Sequence, residues 1–364
     1  MATVLTCYYR PKPGGLCTRL FRAIRALLDR GHTVHYLSLA PFPIDHPRCR
    51  FHRFPWPVGR SDSLLFWALF HLLAPPMLLG LALRHRIGCT FAFGSTYAFL
   101  MRPIYWAMRI RPTYFLRGDP ILSHGLQGRA GWIVRLDQWI EGVALQDAMI
   151  VGVSAHLTHA LLGRHPGRRP RAIHVLPNDL PISQADHPSA PTGPLRLAVA
   201  GILEPMKNHA FILTLLPGLE TYPWHFYLYG QGPEAARLAA IVDCSGLGGR
   251  IFFRGWVPRE NIWPAVDLLL SPSLHEGMPN AVLEAVAAGV PVLASDIPAH
   301  REILPADQLL PLDDPDRWRR ALVNLLEAPA DTLPAMARRQ LRASARLCFD
   351  WDQHIVDLIV PPRP

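Results

Sequence analysis

The chain has 364 residues, half of them apolar and 18% charged, which excludes a wholly disordered chain and suits about two domains of roughly 150 residues. Only Lys12 and Lys207 among its 37 basic residues are lysines, and the net charge of +9 favours anionic partners without choosing among phosphates, membrane headgroups and nucleic acid. Six single cysteines, none at Cys-x-x-Cys spacing, argue against a zinc ribbon, a thioredoxin-like centre or a disulfide framework.

The chain opens with an apolar strand, Val4–Tyr9, and a turn ending in Gly14-Gly15. A helix pattern follows, with Leu16, Leu20, Ile24, Leu27 and Leu28 on one face and Arg19, Arg22 and Arg25 on or near the other. Gly31 ends it and a second strand, Val34–Leu39, comes next, giving a β-α-β unit. No signal-peptide order of charge, apolar run and small residues is seen in residues 1–30, so a cytoplasmic, reducing location is expected.

Residues 64–83 form the most hydrophobic window, long enough for a membrane span. Pro75-Pro76 at its middle predicts two short helices packed on the sheet, with a membrane-dipping surface as the alternative. Strands at Thr90–Phe93, Thr113–Leu116 and Ala148–Val153 extend a parallel sheet. Four prolines in Pro181–Pro194 read as an interdomain linker. The βα rhythm then restarts at Leu195–Ala200, Phe226–Tyr229, Ile251–Phe253, Asp267–Ser271 and Val290–Ser295. The expected domains are residues 1–182, a linker at 183–194, and 195–345, with a last helix in about 346–364 returning to the first domain.

The chemistry concentrates after the predicted strand ending at Ser271. A Gly/Pro loop carries Glu276, a helix starts near Asn280, and Glu284 lies one turn inside it. Ligands of open α/β sheets bind at the carboxyl ends of strands, and a helix N-terminus there suits a phosphate. Carboxylates accept hydrogen bonds from sugar hydroxyls.

This segment resembles the Glu-x7-Glu signature of retaining, GT-B-fold glycosyltransferases of the large glycogen-synthase and lipid-mannosyltransferase-like family. Other pieces match in order: Gly14-Gly15, Asp147 ahead of Ser154, Pro177-Asn178, Gly201 through Lys207-Asn208, Gly230-Gln-Gly232, Arg254-Gly255-Trp256-Val257 and Asp296 through Arg301-Glu302. The match is dense over residues 195–305 and thinner before them. The resemblance implies an α/β, GT-B architecture of two Rossmann-like doubly wound domains facing across a cleft. It implies that Glu276 and the backbone of Gly277 and Met278 hold the donor sugar, and that Asn280 and the following N–H groups take the diphosphate. Glu284 would bind the ribose, Val257 the base through its backbone, and Lys207 the leaving diphosphate. Gly14, Gly15 and Gly230 are donor-binding positions on the same grounds.

Two departures stand out. Ile202 occupies the place of the family's usual arginine, for which Arg10, Arg19, Arg117 or Arg254 are the candidate substitutes. The usual histidine after the Thr113–Leu116 strand is replaced by Arg117-Gly118-Asp119-Pro120, so Asp119, Arg117 and His124 are the candidates there, Asp119 as a catalytic group. The remaining histidines lack metal-ligand spacing, and no metal site is expected.

The resemblance implies transfer of a hexose or N-acetylhexosamine from a nucleotide diphosphate sugar, UDP slightly favoured over GDP, to a hydroxyl acceptor. No cofactor and no metal are expected. The basic N-terminal half and the apolar 64–83 segment point to a lipid-linked or cell-envelope glycan acceptor, with peripheral contact at the inner face of the cytoplasmic membrane. The alternatives are a GT-B-fold sugar-nucleotide epimerase, which turns over its donor without acceptor, and a non-catalytic nucleotide-sugar-binding scaffold, which binds donor without turnover. A nucleic-acid module has the charge but lacks a basic stripe interleaved with aromatics.

Overall fold

The computed structural model describes the chain except residues 13, 62, 127, 181–192 and 362–364. The expected linker, apart from Gly193 and Pro194, lies outside the described residues. The chain divides into two compact units, 1–177 with 350–364, and 178–349. The boundary falls earlier than 182 because Asn178–Leu180 is bonded into the second unit: Leu180 N–H donates to Leu347 O at 2.9 Å.

The first unit holds seven strands: β1 (Thr3–Cys7), β2 (Thr33–Ser38), β3 (Cys49–Arg53), β4 (Cys89–Phe93), β5 (Pro112–Leu116), β6 (Met149–Gly152) and β7 (Ala172–Val175). They form one parallel sheet in the order β3-β2-β1-β4-β5-β6-β7. The chain runs outward from β1 to one edge and then from β4 to the other, so the order reverses between β1 and β4. Strands β4 and β5 are almost wholly buried, as sandwiched parallel strands must be. Strands β3 and β7 were not expected; both are edges, largely exposed, and carry too few buried apolar residues to read as strands.

The window at 64–83 folds as one helix, Leu64–Arg84, with both prolines inside it, and not as two. Phe66, Phe70, Ala74, Leu78 and Ala82 form a stripe at every fourth residue that stays buried on both sides of the proline pair. That continuous packing holds the helix together although each proline lacks a backbone N–H donor. The helix Gly15–Asp29 also differs from its pattern: Arg19 is buried, its guanidinium 5.2 Å from the ring of Trp351 in the C-terminal helix Trp351–Ile359. Arg22 joins the same helix through a 2.6 Å bond to Asp352.

The second unit holds β8 (Leu195–Ala200), β9 (Trp224–Tyr229), β10 (Ile251–Gly255), β11 (Leu268–Ser271), β12 (Val292–Ser295) and the two-residue β13 (Leu309–Leu310). Their order is β10-β9-β8-β11-β12-β13, again all parallel, with the reversal between β8 and β11. Its core gathers Trp224, Phe226, Leu268 and Trp318. The loops after β8 and β11 leave the sheet at this switch point, where open α/β sheets bind ligands.

Candidate active site

The loop after β8 begins at Gly201, passes through a 3-10 turn at Pro205–Lys207 and enters the helix His209–Leu215. The loop after β11 runs from Pro272 to Pro279 and enters the helix Asn280–Ala287, which no side chain caps. Leu274 N–H donates to Met206 O at 2.9 Å and ties the two loops together. Lys207 and Glu276 thereby meet: Nζ lies 2.5 Å from Oε1, with side chains 19% and 12% exposed. The same Oε1 accepts from Ser273 Oγ at 2.9 Å. Burial works to raise the Glu276 carboxyl, but the Lys207 charge and hydrogen bond outweigh it and hold the group below its ordinary value.

Two buried histidines flank the pair. His300 Nδ1 donates to Ser295 O at 2.8 Å, so its Nε2 accepts from Ser271 Oγ at 3.1 Å. Ser295 Oγ donates in turn to Ser273 O at 2.6 Å, so a buried chain of polar contacts fixes the Glu276 loop from below. His209 lines the recess beside Lys207, and burial, helped by the Lys207 charge, pushes it down to about 3. Burial likewise lowers His300 and raises Glu204, the latter against the pull of Lys207. The site therefore pairs one ammonium with one carboxylate among neutral imidazoles. His209, Ser273 and His300 were not singled out from sequence, although His300 sits inside the Asp296–Glu302 motif.

The glycines of Gly230-Gln-Gly232 have a steric reason. A Cβ on Gly230 would lie 1.7 Å from Gly201 O, and one on Gly232 would lie 2.3 Å from Leu203 O. The loops after β8, β9 and β10 are laced by Leu203 N–H to Gln231 O at 3.0 Å and Gly230 N–H to Gly255 O at 2.7 Å. Val257 follows Gly255 on this rim, and Arg254 lies with its guanidinium 5.0 Å from the Tyr227 ring centre. Ile202 is exposed. Asn178, buried, donates from Nδ2 to Asn280 Oδ1 at 2.8 Å and from its backbone N–H to Met278 Sδ at 3.0 Å. The Pro177-Asn178 match therefore pins the loop that carries Gly277 and Met278. Glu284 lies half-buried on the helix one turn beyond Asn280.

In the first unit, Gly14 takes φ 128° and starts the helix Gly15–Asp29 with no side-chain cap. The turn thus leaves β1 at the unit's own switch point, and a residue with a Cβ would be strained there. Asp119, expected as a catalytic group, makes structural bonds. Its Oδ1 accepts from Ile121 and Leu122 N–H at 3.1 Å, and its Oδ2 lies 2.5 Å from Arg164 Nη1. Arg164 also holds the fully buried Glu141, so Asp119 is a helix cap and one member of a buried ion network. His124 binds Asp137 at 2.7 Å, and Arg117 lies over the Phe93 ring. Two Asp-x-Asp triplets, a spacing often used to hold a metal, are helix starts: Asp314 accepts from Arg317 N–H and Asp350 from Gln353 N–H.

Two doubly wound units with these loops define the GT-B architecture. Residues 194–328 match the family model of glycosyl transferases group 1. A 2-deoxystreptamine glucosyltransferase of Streptomyces kanamyceticus is 40% identical over 72 residues, 19% of this chain and 19% of that protein. A D-inositol 3-phosphate glycosyltransferase of Mycobacterium avium is 29% identical over 179 residues, 45% of this chain and 40% of that protein. The matched stretch thus spans a fifth to two fifths of these relatives' own length. Sucrose-phosphate synthase of Thermosynechococcus elongatus shares the fold at TM-score 0.81 and 16% identity, covering 98% of this chain and 97% of that one. Anabaena HepE, solved with UDP and glucose, does so at 0.76 and 17%, covering both chains fully. The group 1 glycosyltransferase match thus lies within residues 194–328, and the fold over the whole chain is that of the GT-B neighbours.

Proposed function

We propose that the protein is a retaining glycosyltransferase that moves a hexose or N-acetylhexosamine from a nucleotide diphosphate sugar to a hydroxyl acceptor. The observation that carries this reading is the Lys207–Glu276 pair at the switch point of the second sheet, beside an uncapped helix start. An ammonium has three donors, so Lys207 can keep Glu276 and still bind a phosphate oxygen. Glu276 then turns its other oxygen to a sugar hydroxyl. The amide ends of the Asn280–Ala287 helix face the diphosphate, and Glu284 takes the ribose.

Catalysis in this scheme is positioning plus stabilisation of the leaving diphosphate, which itself takes the acceptor's proton. A well-placed cation or N–H donor contributes roughly 3–4 kcal/mol, by analogy with oxyanion-hole donors. The scheme assigns no step to a metal. UDP is favoured over GDP, in keeping with the UDP bound to the Anabaena neighbour.

The acceptor we propose is lipid-linked or part of a cell-envelope glycan, reached at the cytoplasmic membrane face. The helix Leu64–Arg84 has a mean hydropathy of 1.9, and its outer side leaves Leu64, Leu65 and Leu72 more than 60% exposed. Exposed Trp132 and Trp139 of the helix Gly131–Leu145 lie in the same unit. Such a face suits the interface of a bilayer, where aromatic rings and arginines anchor.

The test is a thermal-shift series with UDP, GDP, ADP and their sugars, followed by release of the nucleotide with and without lipid extract. A ligand that binds only the folded state raises the melting temperature. Stabilisation by one nucleotide and acceptor-dependent release support transfer. Acceptor-independent turnover supports the epimerase, and binding without turnover supports the scaffold.

A further inference from the structure

Three histidines that the donor site does not use meet at one edge of the first sheet. His35 on β2, His52 on β3 and His85 at the end of the Leu64–Arg84 helix each offer a ring nitrogen, and these three atoms lie within 4.8 Å of one another. His35 Nδ1 and His52 Nε2 are 2.9 Å apart, one donating its N–H and the other accepting it. Their rings are nearly parallel at 5.2 Å, and the His85 ring lies 4.2 Å from that of His35. We propose that this cluster is a binding site for a divalent transition metal of the zinc class, separate from the donor site, which fastens the end of the helix to the sheet edge.

The donor set decides the class of ion. Three imidazoles with neither carboxylate nor thiolate suit zinc, copper or nickel and do not suit calcium or magnesium. Tetrahedral zinc–nitrogen bonds of about 2.0–2.1 Å need ligand nitrogens roughly 3.4 Å apart, inside the range from 2.9 to 4.8 Å found here. Closing such a site moves the rings toward a common centre, and a water would complete the fourth position. Burial, with the neighbouring histidines, Arg50 and Arg84, lowers both His35 and His52. The two arginines oppose a dication. The last carbonyls of the helix, which carry partial negative charge where His85 caps it, act against that repulsion. Spacings of 17 and 33 residues, with β3 itself hidden in the sequence, are why this cluster was not foreseen.

The experiment titrates the metal-depleted, untagged full chain with Co2+ and with Zn2+. We expect one ion per chain, a Co2+ spectrum of tetrahedral intensity, and a higher melting temperature with Zn2+. His52→Gln and His85→Gln should each weaken binding by roughly 10- to 100-fold or more, while His174→Gln on exposed β7 should not. X-ray absorption on the unaltered zinc-loaded chain should count three imidazole ligands, which keeps the test informative if either variant fails to fold. Failure to bind, a different ligand count, or full affinity in folded His52 and His85 variants overturns the proposal. None of these readouts depends on sugar transfer.

Discussion

Replacing Lys207 by methionine removes the ammonium and keeps most of the stem's volume. Breaking one partner out of a buried ion pair costs roughly 3–5 kcal/mol. Here the side chains retain 19% and 12% exposure and Ser273 still donates to Glu276, so about 2–3 kcal/mol is expected at neutral pH. The sign with pH follows from Glu276. In the unaltered chain its folded carboxyl sits below the ordinary 4.5, so its stabilisation is present above that value and lost as pH falls through the folded one. In Lys207→Met the charge that lowered it is gone and burial remains, so the folded carboxyl rises above the ordinary value. The penalty of the variant should therefore grow as pH climbs through and above 4.5. Native-state hydrogen exchange of amides in β8 and β11 reads this in the second unit alone. Adding Glu276→Gln should recover at least about 1 kcal/mol, the coupling expected of neighbours in contact. Turnover should fall by roughly 10²- to 10³-fold. A penalty that is flat with pH, with no recovery in the double variant, would refute the account of the pair.

Three further outcomes are expected. Gly230→Ala drives a Cβ to 1.7 Å from Gly201 O at φ 138°, so it should cost more than about 3 kcal/mol and lower the melting temperature of the second unit. Asp119→Asn should cost about 2–3 kcal/mol through Arg164 and the helix cap yet leave nucleotide-sugar affinity unchanged; a stable variant that has lost transfer would return Asp119 to the reaction. Leu72→Asp with Leu73→Asp, both exposed, should abolish flotation with anionic vesicles while leaving the melting temperature within a degree or so, and undiminished flotation would remove the membrane face from the functional proposal.

How far the sequence reached depended on burial. Leu195–Ala200 is a strand at the expected residues because its inward side is apolar and its ends are sharp. Cys49–Arg53 was invisible because an edge strand with Arg50, His52 and Arg53 shows no apolar alternation. Glu276 and Asp119 make the sharper contrast, since both follow a buried strand and precede a helix. An ordered set of motifs surrounds Glu276, and the structure brings that residue to Lys207 within the set. Asp119 had only its position, and position could not reveal Arg164, 45 residues on, which takes its free oxygen. Long-range partners of this kind leave no local trace in a sequence, and the three-histidine cluster is another instance.

The pair also bears on why residue 207 is one of only two lysines in a chain rich in arginine. A lysine side chain carries about 2 kcal/mol of rotamer entropy, and an ammonium that must be ordered by its phosphate would lose that on binding. Holding Lys207 against Glu276 moves the loss into folding. The stem runs along Gly201, whose added Cβ would already lie 3.4 Å from Lys207 Cε, so the loop offers width for a methylene chain. An arginine would bring a planar fork that engages both oxygens of Glu276 at once, leaving neither wholly to a sugar hydroxyl. A point charge engages one oxygen and leaves the other, and this division lets a single ion pair serve both ends of the proposed donor.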